Sequence, residues 1–140
     1  MFVLIDTQKL SSDQRLYLPL LLETLFESPV QRGDRLIPYE EVITELNVDT
    51  VISDQSIGLS GRRFHCGSYS QTAIIMLCVE SGKYERGIKW LRELLHQTVF
   101  TAERLRIIAT KIINNVAQAK RSGRDVASYI IKNLFYREGN

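Results

Sequence analysis

The chain is poor in the residues that make chemistry. Its 140 residues include two cysteines, two histidines, one tryptophan and three prolines. Two cysteines, Cys66 and Cys78, do not make a disulfide framework, so a reducing compartment is the expectation. No apolar run approaches the roughly 20 residues that span a bilayer, which argues against a membrane partner. The opening "MFVLIDTQKL" has no basic leader, no long apolar stretch and no small-residue cleavage site, so it does not read as a secretory signal. It is not Arg/Ser-rich either, so no transit peptide is visible. Glycine motifs for phosphate are missing: "IGLSGRRF" holds Gly58 and Gly61 three apart, with no Gly-Lys-Ser/Thr after them. Gly58-Leu59-Ser60-Gly61 also misses the spacing of a nucleophile elbow.

What is present is ordinary for a globular chain: 44% apolar and 24% charged residues, enough for one domain over 1–140. The net charge of +2 hides an asymmetry. Residues 1–60 carry 4 basic and 10 acidic side chains, whereas residues 61–140 carry 14 basic and 6 acidic ones. A basic half can hold an acidic partner or can face its own acidic half. The basic residues are spread around helices without interleaved aromatics, so no nucleic-acid partner is expected.

Periodicity sketches the elements. "MFVLID" reads as a buried strand. "SSDQRLYLPLLLETLFESP" reads as a helix capped by Ser11 or Ser12, with Leu16, Leu20, Leu21 and Leu25 on one side and Pro19 near its start. "VQRGDRLI" reads as a loop around Gly33-Asp34. "PYEEVITELNVDT" reads as a helix with Pro38 at its first position and Val42, Ile43 and Leu46 inward. "TVISDQSIGLSGRRFHCGSY" and "QTAIIMLCVES" read as antiparallel strands with a tight turn near Ser68–Gln71.

In "KYERGIKWLRELLHQTVF", Tyr84, Ile88, Leu91 and Leu95 form a helical stripe that Trp90 and Leu94 widen. The next helix opens at Thr101, with Leu105, Ile108, Ala109, Ile112, Val116 and Ala119 on one face. A last helix carries Val126, Ile130 and Leu134. The order is β-α-α-β-β-α-α-α, an α+β layer of a mainly antiparallel sheet of three to four strands packed against several helices.

The pairing His65–Cys66 is the one hint of chemistry. On a strand, neighbouring side chains point to opposite faces, so the two cannot share one ligand. Cys66 and Cys78 are candidate neighbours across the sheet, but two thiols do not complete a zinc site, and His96 adds no usual ligand spacing. The expectation is no catalytic, cofactor-binding or metal-binding residue. Glu40, Glu41 and Glu45 read as a solvated helix face. "KRSGR" at 120–124 reads as a solvated helix end or a contact for an acidic partner.

Several phrases, in their order and spacing, carry a resemblance: "YLPLLLETLFESP", "LIPYEEVITELNVDT", "FHCGSYSQT" and "KYERGIKWLRELLHQTVFTAERLRIIATKIINNVAQAKRSG". Together they resemble the pitrilysin/insulinase family of zinc metallopeptidases, closest to its presequence-protease-like branch. The resemblance implies a much longer protein of four homologous α+β domains that close around a peptide. It makes this chain the first part of the third, non-catalytic domain, a wall of the peptide chamber and part of the interdomain packing.

The family's zinc motif, H-x-x-E-H, belongs to its first domain. Here His65 precedes Cys66-Gly67-Ser68-Tyr69 and His96 precedes Gln97-Thr98-Val99-Phe100, so no zinc ligand or catalytic residue carries over. The implied zinc and hydrolysis belong to the parent protein, and the chain alone is expected to be inactive. The implied partners are the remaining domains of a larger peptidase or a peptide. The alternative is a free-standing protein-interaction module. The implied setting is intracellular, cytoplasmic or mitochondrial. An isolated half-domain should also leave an unpaired sheet edge and an apolar patch.

Overall fold

The computed structural model describes residues 1–59 and 67–135, the side chains of Lys132, Asn133 and Phe135 excepted. His65 and Cys66 lie outside the described residues.

The fold is α+β. Strand β1 (Phe2–Asp6) leads to α1 (Ser12–Arg15), α2 (Leu18–Phe26), β2 (Val30–Arg32), β3 (Arg35–Ile37) and α3 (Tyr39–Asp49). Then come β4 (Ile52–Leu59), β5 (Ser68–Cys78), α4 (Tyr84–His96), α5 (Ala102–Ala119) and α6 (Gly123–Phe135). A three-stranded antiparallel sheet runs β1-β5-β4, leaving β1 and β4 as its edges among the described residues.

Three local readings change. The first long helix is two. Ser11 closes a capping box with Gln14 over α1, and the chain restarts at Leu18 with Pro19 in the first turn of α2. The restart alters the helical phase. Leu25 is buried as read, but Leu16 and Leu21 are exposed, and Leu18, Leu22 and Phe26 are buried instead. The supposed loop at "VQRGDRLI" is a hairpin, with Arg32 opposite Arg35. Gly33 takes φ +59° at the first central position of its two-residue turn, the arrangement of a type II′ turn. The residues given to a turn, Ser68–Gln71, belong to β5, which pairs Ser68 with Leu59.

Register decides which side of the sheet is inside. Ala73, Ile75 and Leu77 of β5 join Val3 and Ile5 of β1 and Ile57 of β4 against the helices. Leu22, Leu25 and Phe26 of α2, Val42 and Leu46 of α3, and Trp90 and Leu94 of α4 close this core. Each fully buried aliphatic side chain contributes about 1.5–3 kcal/mol of burial free energy. Phe2 and Leu4, one residue out of step, turn to the opposite side and are more than half exposed. Among the described residues the helices therefore pack on one face of the sheet, although Ile74 of the central strand, on the other face beside Leu4, is also buried.

The stripe on α4 is also rotated from its expected phase. Gly87, Trp90, Glu93 and Leu94 are buried, while Tyr84 and Ile88 are exposed. The face of α5 is as read, with Ile108 fully buried and Leu105, Ala109, Ile112 and Val116 half-buried, but Arg104 is buried on it as well. Beyond His96 the chain leaves the helix and bridges to β2. Gln31 N–H donates to Gln97 O, and Val99 N–H donates to Pro29 O, both at 2.8 Å.

Candidate functional site

The densest polar constellation gathers where β2, α3 and α4 meet. Glu45 and Asp49 are one turn apart on α3, so both point the same way. Arg86, Lys89, Trp90 and Glu93 lie within two turns on α4. Arg32 reaches in from the end of β2. Together these residues line a recess of about 50 Å³.

The geometry is one of saturated pairs. Arg32 Nη1 stands 2.8 Å from Glu45 Oε2, and Arg32 Nη2 and Nε donate to Glu93 Oε2 at 2.8 and 3.0 Å. The Arg32 guanidinium also lies 5.2 Å from the centre of the Trp90 ring, a cation–π distance. The Trp90 indole N–H donates to Asp49 Oδ2 at 2.9 Å, and Arg86 Nε approaches the same oxygen at 2.9 Å. Lys89 sits 3.9 Å from Glu93. Burial works against the Arg32 charge, but hydrogen bonds and charge from Glu93 and Glu45 outweigh it and raise the pKa above its ordinary value.

Three basic and three acidic groups thus neutralise one another around a space fit for a water molecule or small ion. Among the described residues, none that lines the recess is a histidine, a cysteine or a hydroxyl nucleophile. Each of its carboxylates already accepts from a cation or an indole. The chemistry of such a cluster is cross-linking: it fastens the β2–β3 hairpin and α3 to α4.

A second cluster fastens α5. Arg104 Nε donates to Glu27 O at 2.9 Å, and its guanidinium stacks 3.7 Å from the centre of the Tyr39 ring. Lys111 bonds the Glu27 carboxylate and lies 4.0 Å from Glu23. A hydrogen bond to Glu40 lifts the Tyr39 phenol above its ordinary pKa, with Arg104 pulling the other way. Beside this cluster, a groove of about 210 Å³ opens between α2, α3 and β4, with Phe26, Ile43 and Leu46 on its apolar wall and Ser53 and Gln55 on its polar one.

The residues singled out in sequence are scattered. His96 is exposed at the last position of α4. Cys78 is a free, exposed thiol at the end of β5, opposite Ile52, and its expected neighbour Cys66 lies outside the described residues. Among the described residues, no group of three or more His, Cys, Asp or Glu side chains is placed to hold a metal ion. Of the acidic residues read as a solvated face, Glu41 pairs with Arg35 at 3.0 Å and Glu45 enters the recess.

Sequence reading missed Arg32, Asp49, Glu93 and Arg104 as buried or half-buried partners. A signal existed for two of them. Glu93 falls one turn after Trp90 and beside Leu94, and Arg104 falls one turn before Ile108, so each places a charge on the apolar line of its helix.

Among the described residues, no helix is long and apolar enough to cross a membrane. No protein-family model matches the chain, and no solved structure matches it. Relatives exist among curated proteins. An uncharacterized protein of Caenorhabditis elegans is 28% identical over 135 residues, covering 96% of this chain and 13% of its own length. An uncharacterized protein of Schizosaccharomyces pombe is 29% identical over 137 residues, 94% of this chain and 13% of its own. One from Saccharomyces cerevisiae is 23% identical over 122 residues, 83% of this chain and 11% of its own. The chain therefore spans about an eighth of the length of the curated relatives it matches.

Proposed function

We propose that this chain is a non-catalytic segment of a larger peptidase of the pitrilysin/insulinase kind, contributing chamber wall and interdomain packing. The observation that carries this reading is the one-sided layering of the sheet. Helices cover Val3, Ile5, Ile75 and Leu77, while Phe2, Leu4 and Ile52 are left at least half exposed on the other side. An apolar face of this kind belongs against another surface. The saturated recess at Arg32 and Glu93 supports a structural role over a catalytic one. The order of the phrases that resemble the family, and relatives about eight times as long as the matched segment, support the reading further.

On this reading zinc binding and hydrolysis reside elsewhere in the parent protein. The partners are its remaining domains, and the setting is cytoplasmic or mitochondrial. The test measures zinc content and cleavage of a fluorogenic peptide by the purified chain. The expected result is neither stoichiometric zinc nor hydrolysis. One zinc per chain, lost on replacing His65 by alanine, would overturn it.

The free-standing interaction module stays as a second reading, favoured by the groove beside the edge strand β4. A peptide that protects β4 amides from hydrogen exchange without being cleaved would decide for it.

A further inference from the structure

The edge of the sheet at β4 offers main-chain groups to a further strand, and its side chains say what that strand carries. Two bonds fix how the ladder alternates. The Met1 amine donates to Leu77 O at 2.7 Å, and Leu77 N–H donates back to Met1 O at 3.0 Å. Leu77, and with it Ile75, therefore turns its main-chain groups toward β1, while Cys78, Met76 and Ile74 turn theirs toward β4. Their partners on β4 are Ile52, Asp54 and Ser56. The main-chain groups of Ser53 and Gln55, which lie between those partners, point outward from the sheet. Gln55 N–H accordingly donates to Asp54 Oδ1 at 2.9 Å, a side chain standing where a neighbouring strand would accept.

The two faces of this edge differ. Ser53 and Gln55 lie opposite Leu77 and Ile75 on the helix-covered side, as the polar wall of the groove whose apolar wall is Phe26, Ile43 and Leu46. At about 210 Å³ the groove takes branched side chains, not merely a water molecule. Asp54 lies on the other side, exposed, with no cationic partner among the described residues. The usual guards of an edge are missing as well. From Ile52 to Ile57 there is no lysine, no proline and no bulge, and the bulge at Gly58 closes only the far end.

We infer that β4 binds an extended peptide in antiparallel pairing, with a lysine or arginine opposite Asp54 and a branched apolar residue on each side of it. This rests on the reading of the chain as an interaction module and names that module's partner. Only an extended backbone supplies donors and acceptors to Ser53 and Gln55 together. The residues that pair with Ser53 and Gln55 project into the groove, so they are apolar. The residue between them meets Asp54 in a non-hydrogen-bonded pair, where side chains approach most closely, so it is cationic. Its carbon stem lies along Ile52, which is half exposed. The incoming strand takes over the Gln55 N–H, and the released Asp54 carboxylate passes to the cation. The edge is thus served both with and without its partner, which suits a separate polypeptide that comes and goes.

The probe is a capped, fluorescein-labelled peptide, Ser-Thr-Val-Lys-Val-Thr-Ser, followed by fluorescence anisotropy and amide hydrogen exchange. Its binding should protect the amides of Ser53 and Gln55. Glutamate in place of the central lysine should weaken binding at least about tenfold. Asp54→Lys should reverse that order and hold the glutamate peptide more tightly than the lysine one. Asp54 is exposed, so the circular dichroism of this variant should be unchanged. Ser53→Pro removes an outward N–H that the sheet itself does not use, and should abolish binding. The charge reversal is read on a different variant, so it stands whether or not Ser53→Pro folds. Protection of β4 by both peptides alike, or an order unchanged in Asp54→Lys, would overturn the inference and leave the module reading in place. No protection of β4 by either peptide would overturn both.

Discussion

The indole N–H of Trp90 donates to Asp49 Oδ2 at 2.9 Å, and both side chains are buried. The bond ties the C-terminal end of α3 to the middle of α4. It also explains the phase of α4: a buried tryptophan needs a partner for its one donor, and only rotation toward α3 provides it.

Replacing Trp90 by phenylalanine keeps an aromatic ring in the core but removes the donor. Asp49 then keeps Arg86, which is 65% exposed and a weaker anchor. The expected loss is about 1.5–3 kcal/mol of folding stability. Urea denaturation followed by circular dichroism measures it, since Trp90 is the chain's single tryptophan and its fluorescence disappears with it.

Arg32→Met should destabilise by about 3 kcal/mol, because Glu93 stays buried with only Lys89 at 3.9 Å. Glu93→Gln in the same background should recover a large part of that loss. A double-mutant cycle on the pair reads the coupling directly. Additive losses would mean that Arg32 acts through its stack on Trp90 and not through Glu93.

Arg104→Lys preserves the charge but loses the fork that bonds Glu27 O while stacking on Tyr39. A loss of about 1–2 kcal/mol is expected. Hydrogen exchange should show the amides of α5 opening before those of the sheet, because α5 keeps only one fully buried apolar side chain, Ile108.

Gly58→Ala should be among the most damaging small substitutions. Gly58 takes φ +74° at the bulge between Ile57 and Leu59, and a Cβ there would come within 2.7 Å of the Gly67 and Ser68 backbone. Backbone cannot move aside as a side chain end can. A loss above about 2 kcal/mol is expected, and an unchanged melting temperature would show that the bulge yields.

Much of the fold was legible along the chain. A long apolar run with branched side chains in "QTAIIMLCV" marked the central strand, and Thr101 marked the start of α5 by the cap it supplies. The hairpin at Gly33-Asp34 was legible as well, since two residues between "VQR" and "RLI" suit a two-residue turn. Reading it as a loop undervalued strands only three residues long. The phases of α2 and α4 were less accessible. Pro19 restarted one helix, and the need of Trp90 for Asp49 turned the other. Neither follows from hydrophobic spacing.

By itself, then, the sequence determined the class of the protein: an α+β fold, its long helices and central strand, and an antiparallel sheet. These follow from local chemistry, from period and caps. Only the tertiary structure decided which charges are buried together and which apolar residues stay outside. Arg32 and Glu93 are 61 residues apart in the chain, and no local rule relates them. Phe2 and Leu4 look as ready for a core as Val3 and Ile5. Strand register alone places one pair under the helices and leaves the other in the open.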